Sequence, residues 1–303
     1  MRIGINDGTL NDGTLDQVVE NARTAESQGF ASYWVSQIFG HDAMTTLSIV
    51  GREVPRIELG IAVVPTYPRH PMQMAQQALT TNAATGGRFT LGIGLSHQPV
   101  VEGMWGHTFD KPVRHMREYL SALMPLLEQQ SVRFEGETVT ARGDITVCGG
   151  DRPAVMLAAL GEQMLKVTAQ FADGTMTWCT GPKTLAEHTV PTLRAASEAA
   201  GRDATRVVAA LPVCVTDDVA GAQERAASVF AIYGQLPSYR KMLDREGAAG
   251  PGDIVIAGSA EECRERVLAL GEIGVTDFSA AEFASDPDER AATREMLVSC
   301  LDG

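Results

Sequence analysis

Cysteine is sparse and unpatterned in this 303-residue sequence: Cys148, Cys179, Cys214, Cys263 and Cys300 are scattered, odd in number and without a CxxC pair. Neither a disulfide framework nor a thiolate zinc site follows from that spacing, and free thiols in a reducing cytoplasm are the expectation. No run approaches the roughly 18 apolar residues needed to span a bilayer. The N-terminus is polar by Asn6, too early for the apolar core of a signal peptide. No membrane partner is expected. Basic residues do not cluster, and 38 acidic against 25 basic side chains leave a net charge of −13, which argues against nucleic acid. No Pro-, Gly- or Ser-rich linker divides the chain, so residues 1–303 are expected to form one domain.

Several motifs are missing too. Gly92-Ile93-Gly94 opens a dinucleotide fingerprint, but His97 stands where the third glycine belongs. Gly94-Leu95-Ser96-His97-Gln98 begins like a nucleophile elbow and ends on Gln98 instead of glycine. There is no GxxxxGK[ST] and no HExxH, and the six histidines show no metal-ligand spacing. No metal site is expected.

What the sequence does contain is a beat. Short apolar runs alternate with longer helical patterns: strand-like Arg2–Asn6, Ser32–Ser36, Ile57–Val64, Arg88–Gly94, Ala154–Ala159, Gly174–Trp178, Arg206–Val215 and Asp277–Ala281, most followed by a helix. Ile57–Val64 (IELGIAVV) is too apolar for a half-exposed strand and suits a parallel strand covered on both faces. Thr14 with Gln17, Thr184 with Glu187, and Ser259 with Glu262 have capping-box spacing, and Gly29 and Gly201 supply helix stops. Residues 132–147 break the rhythm with period-two alternation and glycine turns, the pattern of an inserted hairpin after the fourth βα unit. The eight βα units predict an α/β fold, a (β/α)8 TIM barrel with that excursion; an open doubly wound sheet is the alternative.

In such a barrel, chemistry gathers at the carboxyl ends of the strands. The polar residues there are few. Ala158-Ala159-Leu160-Gly161-Glu162 ends a strand with small residues and opens directly into a helix, so free amides and the positive end of a dipole face the mouth as a phosphate cradle. A ligand-free tight turn is the plainer reading of this segment alone. His97, beyond two glycines, titrates near neutrality and is the acid–base candidate. Thr180 and Lys183 follow the sixth strand. Arg69 and His70, between prolines, read equally as loop stiffeners. Trp34, Phe39, Trp105 and Trp178 are candidate pocket walls, although aromatic residues beside strands usually belong to cores.

Four segments together resemble the luciferase-like monooxygenase superfamily and, more closely, its coenzyme F420-dependent (deazaflavin) oxidoreductases. They are Trp34-Val35-Ser36-Gln37; Leu59 through Thr66 with Arg69-His70-Pro71; Gly87 through Gly94; and Ala158 through Glu162 continuing to Ala172-Asp173-Gly174. The resemblance implies a TIM barrel, usually dimeric, with F420, or alternatively FMN, at the strand ends and a small-molecule substrate above it. It implies a non-proline cis peptide at Ala62-Val63. It places cofactor contacts at Gln37, Ala62, Val63, Val64, Ser96, His97, Ala158, Ala159, Leu160, Gly161, Glu162, Thr180 and Lys183, and an acid at His97. The family's acidic or histidine position after strand two is Gln37-Ile38 here, which tells against alcohol oxidation and favours reduction of an electron-poor C=C or C=N bond. A reduced-FMN monooxygenase and a flavin-binding barrel without catalysis are the competing readings.

Overall fold

The computed structural model describes residues 1–203 and 205–301. Its strands are β1 (Arg2–Asp7), β2 (Ser32–Val35), β3 (Glu58–Ile61) with its short continuation β4 (Val64–Pro65), β5 (Phe89–Gly94), β6 (Ser131–Glu135), β7 (Thr140–Asp144), β8 (Ala154–Ala158), β9 (Gly174–Trp178), β10 (Arg206–Val215), β11 (Ile256–Gly258) and β12 (Asp277–Glu282). Parallel pairing runs β1–β2–β3–β5–β8–β9–β10–β12 and returns from β12 to β1, so eight strands close into a barrel and the open-sheet alternative is excluded. β4 carries the third strand onward beside β5, and β11 adds a short flank to β10. β6 and β7 form an antiparallel hairpin outside the ring, in the region expected to depart from the beat.

The helices are α1 (Leu15–Ser27), α2 (Ala43–Glu53), α3 (Pro71–Ala84), α4 (Gln98–Gly103), α5 (Pro112–Gln129), α6 (Glu162–Phe171), α7 (Pro182–Thr184), α8 (Val190–Ala199), α9 (Val219–Val229), α10 (Ala231–Gln235), α11 (Pro237–Glu246), α12 (Ala260–Glu272) and α13 (Pro287–Ser299). The Thr14/Gln17 and Ser259/Glu262 capping boxes form as expected. The Thr184/Glu187 box does not. Pro182, preset for a first helical position, starts the helix three residues earlier, with Gly181 as the N-cap, and a π turn over Leu185–Thr189 links α7 to α8. The Thr184 hydroxyl donates instead to the Met242 carbonyl at 3.1 Å.

Alternate residues of each strand point into the barrel and fill it in layers. At the amino-terminal foot, Arg206 donates to Asp277 (2.7 Å) and Glu58 (3.0 Å), while Arg2 reaches Glu58 and Asp277 and Thr90 donates to Glu58. A cleft of about 390 Å³ opens beneath this layer, but its Arg2, Arg88 and Arg206 guanidiniums are committed to carboxylates or to the Ile57 and Gly51 carbonyls. Above it, Trp34 lies fully buried against Met156, Met176 and Val208. It fits because residue 60 is glycine: a Cβ there would fall 2.2 Å from the indole. Trp34 is therefore barrel filling and not the pocket wall proposed from sequence. The uppermost layer is small: Ala158 is exposed, Ala62 is half-buried, and Gly94 between them is buried against its neighbours. The barrel is plugged below and shallow above.

Candidate active site

The shallow end forms a floor. The Ala62–Val63 peptide is cis, at the position the sequence resemblance implies. Gly94 makes room for the adjoining side chain: a Cβ there would sit 2.7 Å from Val63 Cγ2 and 3.3 Å from Ala158 Cβ. Val63, Gly94 and Ala158, from three neighbouring strands, thus meet at the strand ends, with Ala158 exposed and Val63 half-buried. Val64 pairs with Ile93 and turns its side chain into the outer core, as does Ala159. Of those two, only the backbone faces the site.

Beside the floor, the β8–α6 turn is open. Gly161 is the N-cap of α6 with φ −85°, and nothing lies within 4 Å of a Cβ built on it. Met164 makes the first intrahelical bond, to the Gly161 carbonyl at 3.0 Å, leaving the earlier amides of Glu162 and Gln163 directed outward. No side chain caps them. The Glu162 carboxylate is drawn aside by Lys166 (2.6 Å), whose hydrogen bond and charge hold it below the usual carboxylate range. Buried His188 holds the turn from behind, its Nε2 2.8 Å from the Leu160 carbonyl. Sequence alone gave no signal for His188, which lies 28 residues away.

His97 stands at the next strand end, on the same side of the barrel as Gly161, and opens α4. Ser96 before it takes φ +62°, a left-handed conformation costly for a residue with a side chain. Burial alone pushes the His97 imidazole below its ordinary value, with no carboxylate opposing the shift. The ring meets Tyr239 edge-on at 5.8 Å between centroids and Tyr233 at 6.3 Å. From there aromatic contacts continue to Trp178, Phe230 and Phe283.

Other predicted residues are engaged elsewhere. Gln37 accepts from the Ala43 amide at 2.8 Å, at the start of α2. Thr180 is buried and donates to the Trp178 carbonyl. The amides of Lys183 and Thr184 are taken by Glu246 of α11, at 3.1 and 2.7 Å, leaving only the exposed Lys183 ammonium for a ligand. Arg69 pairs with Asp42 at 2.6 Å, and His70 Nε2 lies 2.8 Å from the Thr140 carbonyl in the hairpin, so both act as loop fasteners. Phe39 is exposed, and Trp105 sits half-buried after α4.

Among known proteins, the 5,10-methylenetetrahydromethanopterin reductase of Methanolobus tindarius is 26% identical over 305 residues, covering 91% of this chain and 93% of its own. The structure of the coenzyme F420-dependent tetrahydromethanopterin reductase of Methanopyrus kandleri superposes with TM-score 0.82 at 21% identity, covering 99% and 98% of the two chains. The FMN-bound oxygenating constituent of 3,6-diketocamphane monooxygenase from Pseudomonas putida superposes with TM-score 0.76 at 16% identity over 99% and 97%. Residues 1–277 match the luciferase-like monooxygenase family. With that match spanning strand after strand of a closed barrel, the chain belongs to the luciferase-like monooxygenase family.

Proposed function

We propose that this protein is an oxidoreductase that binds coenzyme F420 at the carboxyl ends of its strands and reduces an electron-poor C=C or C=N bond of a small organic substrate. The observation that carries the reading is the pairing of a small-residue floor with an uncapped helix start one strand away. A flat ring needs the first and an acidic phosphate the second, and the residues present fit both. The relative named as a methylenetetrahydromethanopterin reductase supports the reductive direction, and another, named a putative coenzyme F420-dependent oxidoreductase and 30% identical over 189 residues, supports the cofactor. Gln37 supports the same direction, since its amide cannot accept the proton that an alcohol must lose.

Reduced deazaflavin, when bound, supplies hydride. The protein's residues do the rest. Ala62, Val63, Gly94 and Ala158 leave the ring a flat bed. The Gly161, Glu162 and Gln163 amides hold the phosphate, and the Lys183 ammonium meets the acidic tail. Ser96 turns the chain so that His97, through an imidazole nitrogen, delivers the proton that completes reduction. The family resemblance and the unpatterned cysteines support a homodimer in the reducing cytoplasm.

Titration with F420 and with FMN, followed by absorbance, tests the cofactor. Saturable F420 binding is expected, weakened about tenfold in Gly161→Ala, since a methyl group there crowds the cradle without meeting the fold. At most about 1 kcal/mol of stability should be lost with that cap change. Tight FMN binding with no F420 binding would overturn the assignment. Oxygen uptake coupled to substrate hydroxylation would make the protein a monooxygenase instead.

A further inference from the structure

The chain is poor in aromatic residues, yet five of them gather over the barrel mouth: Trp178, Phe230, Tyr233, Tyr239 and Phe283, beside His97. They come from three separate segments, the end of β9, the α9–α11 region and the residue after β12. Successive ring centroids lie 5.8 Å (His97–Tyr239), 4.8 Å (Tyr239–Tyr233), 6.3 Å (Tyr233–Trp178), 5.3 Å (Trp178–Phe230) and 5.2 Å (Phe230–Phe283) apart. Strand parity says where they point. Trp178 is two residues beyond Met176, which lies inside the barrel, and Phe283 is two beyond Ala281 and four beyond Ser279, on the face opposite core residues Phe278 and Ala280. That parity puts both on the inward face of their strands, with Phe283 and Phe230 packed as well against Ala222, Ala226, Val255 and Ala257 of the α9 and β11 region. In the ring order, β10, whose following helices bring Phe230, Tyr233 and Tyr239, lies diametrically across from β3, which leads into the cis peptide and the floor.

We infer that this aromatic arc is the substrate wall of the site and that it selects a neutral, planar, conjugated substrate carrying a hydrogen-bond acceptor. The inference rests on the reading of the mouth as the reaction site. Ring faces and edges at these spacings favour stacking against another flat π system over a puckered one. The arc's own rings carry no charge at neutral pH, since burial raises both tyrosine phenols and lowers His97. Arg225, over Phe283 at 6.0 Å, is already paired with Glu289 at 3.6 Å, and Arg240, next to Tyr239 in sequence, with Asp244 at 2.8 Å. Such a wall does not attract a sugar phosphate. The Trp178 indole N–H is buried and makes no hydrogen bond of ordinary geometry among the described residues, the Tyr233 hydroxyl being at most a weak acceptor for it, so a carbonyl or ring nitrogen of the ligand can compete for this donor.

Calorimetric titration of the protein with 2-acetylnaphthalene, a flat neutral ketone, and with its saturated analogue 2-acetyldecalin tests this. The flat probe should bind about tenfold or more tightly than the puckered one. Tyr233→Leu and Trp178→Leu should each weaken it about fivefold or more. Tyr233→Phe, which keeps the ring, should retain wild-type affinity and reports on folding in the same background. Equal affinity for both probes, or leucine variants that fold and bind the flat probe unchanged, would overturn the inference. An F420 titration run in parallel separates the two readings: its failure removes the cofactor assignment and leaves the probe result standing.

Discussion

At the scale of single residues, the site depends on what is small and what is neutral. Gly60 and Gly94 work by absence, one admitting an indole and the other a valine methyl. Both were visible in the sequence as glycines on a strand, but the groups they admit were not, because those partners belong to neighbouring strands. His97 was visible as a titratable group past a strand end. Its environment was not, since the tyrosines that bury it lie more than 130 positions away in the chain. Burial gives it a testable signature. With its pKa below the ordinary histidine value of about 6.5, the ring is neutral at pH 7 and cationic only in acid. Delivery of a proton from the cation should make turnover rise as pH falls through that lowered pKa. His97→Gln should remove this acid limb and cost about 100-fold in rate, as read from a pH–rate profile. The same shift has a stability sign. The unfolded chain takes the proton more readily than the folded one, so His97 and likewise His115 make the fold less stable as pH drops below about 6.5.

At the scale of elements, two helices begin on the same rim and differ in what sits at their amino ends. α6 starts uncapped at Gly161, whereas the α7 start is filled by the Glu246 carboxylate, which takes two of its amides. Local sequence distinguishes them poorly. Capping boxes were legible where the partner lies three residues on, as at Thr14 and Ser259. They misled at Thr184, where the real cap arrives from another helix more than 60 positions later. α11 itself and the three-residue β11 were not read from the sequence. β11 is too short to show a period, and α11 lies in a region where only its neighbour's pattern was followed. Glu246→Gln should cost about 1–2 kcal/mol, measured as a fall in the urea midpoint at unchanged slope, because the amide has one accepting oxygen for two backbone N–H groups and also loses the charge–dipole attraction. It should leave cofactor affinity within about twofold, since the open cradle is at α6.

At the scale of the whole molecule, the barrel order was the most legible feature. Eight runs read as strands are the eight strands of the ring, and the hairpin falls where alternation replaced the helical beat. Backbone pattern is local enough to be written in consecutive residues, but the aromatic arc exists only once the ring closes. Closure also depends on the foot. Arg206, at the start of β10, ties Asp277 and Glu58 across the barrel, and Asp277 is only 2% exposed. Arg206→Met should destabilise the fold by about 3 kcal/mol in urea unfolding, since it leaves carboxylate charge with only Arg2 to answer it. Removing Asp277 as well, as Asn, should recover part of that loss.

The plug beneath the mouth has a kinetic consequence. Among the described residues, Trp34 and the ionic layer fill the barrel's lower half, so on the proposed reading ligands come and go at the carboxyl ends of the strands alone. A cofactor held on the floor would then lie underneath the substrate, and the two would be compelled into sequence: the deeper occupant first in and last out, with no exchange of it while the upper one remains.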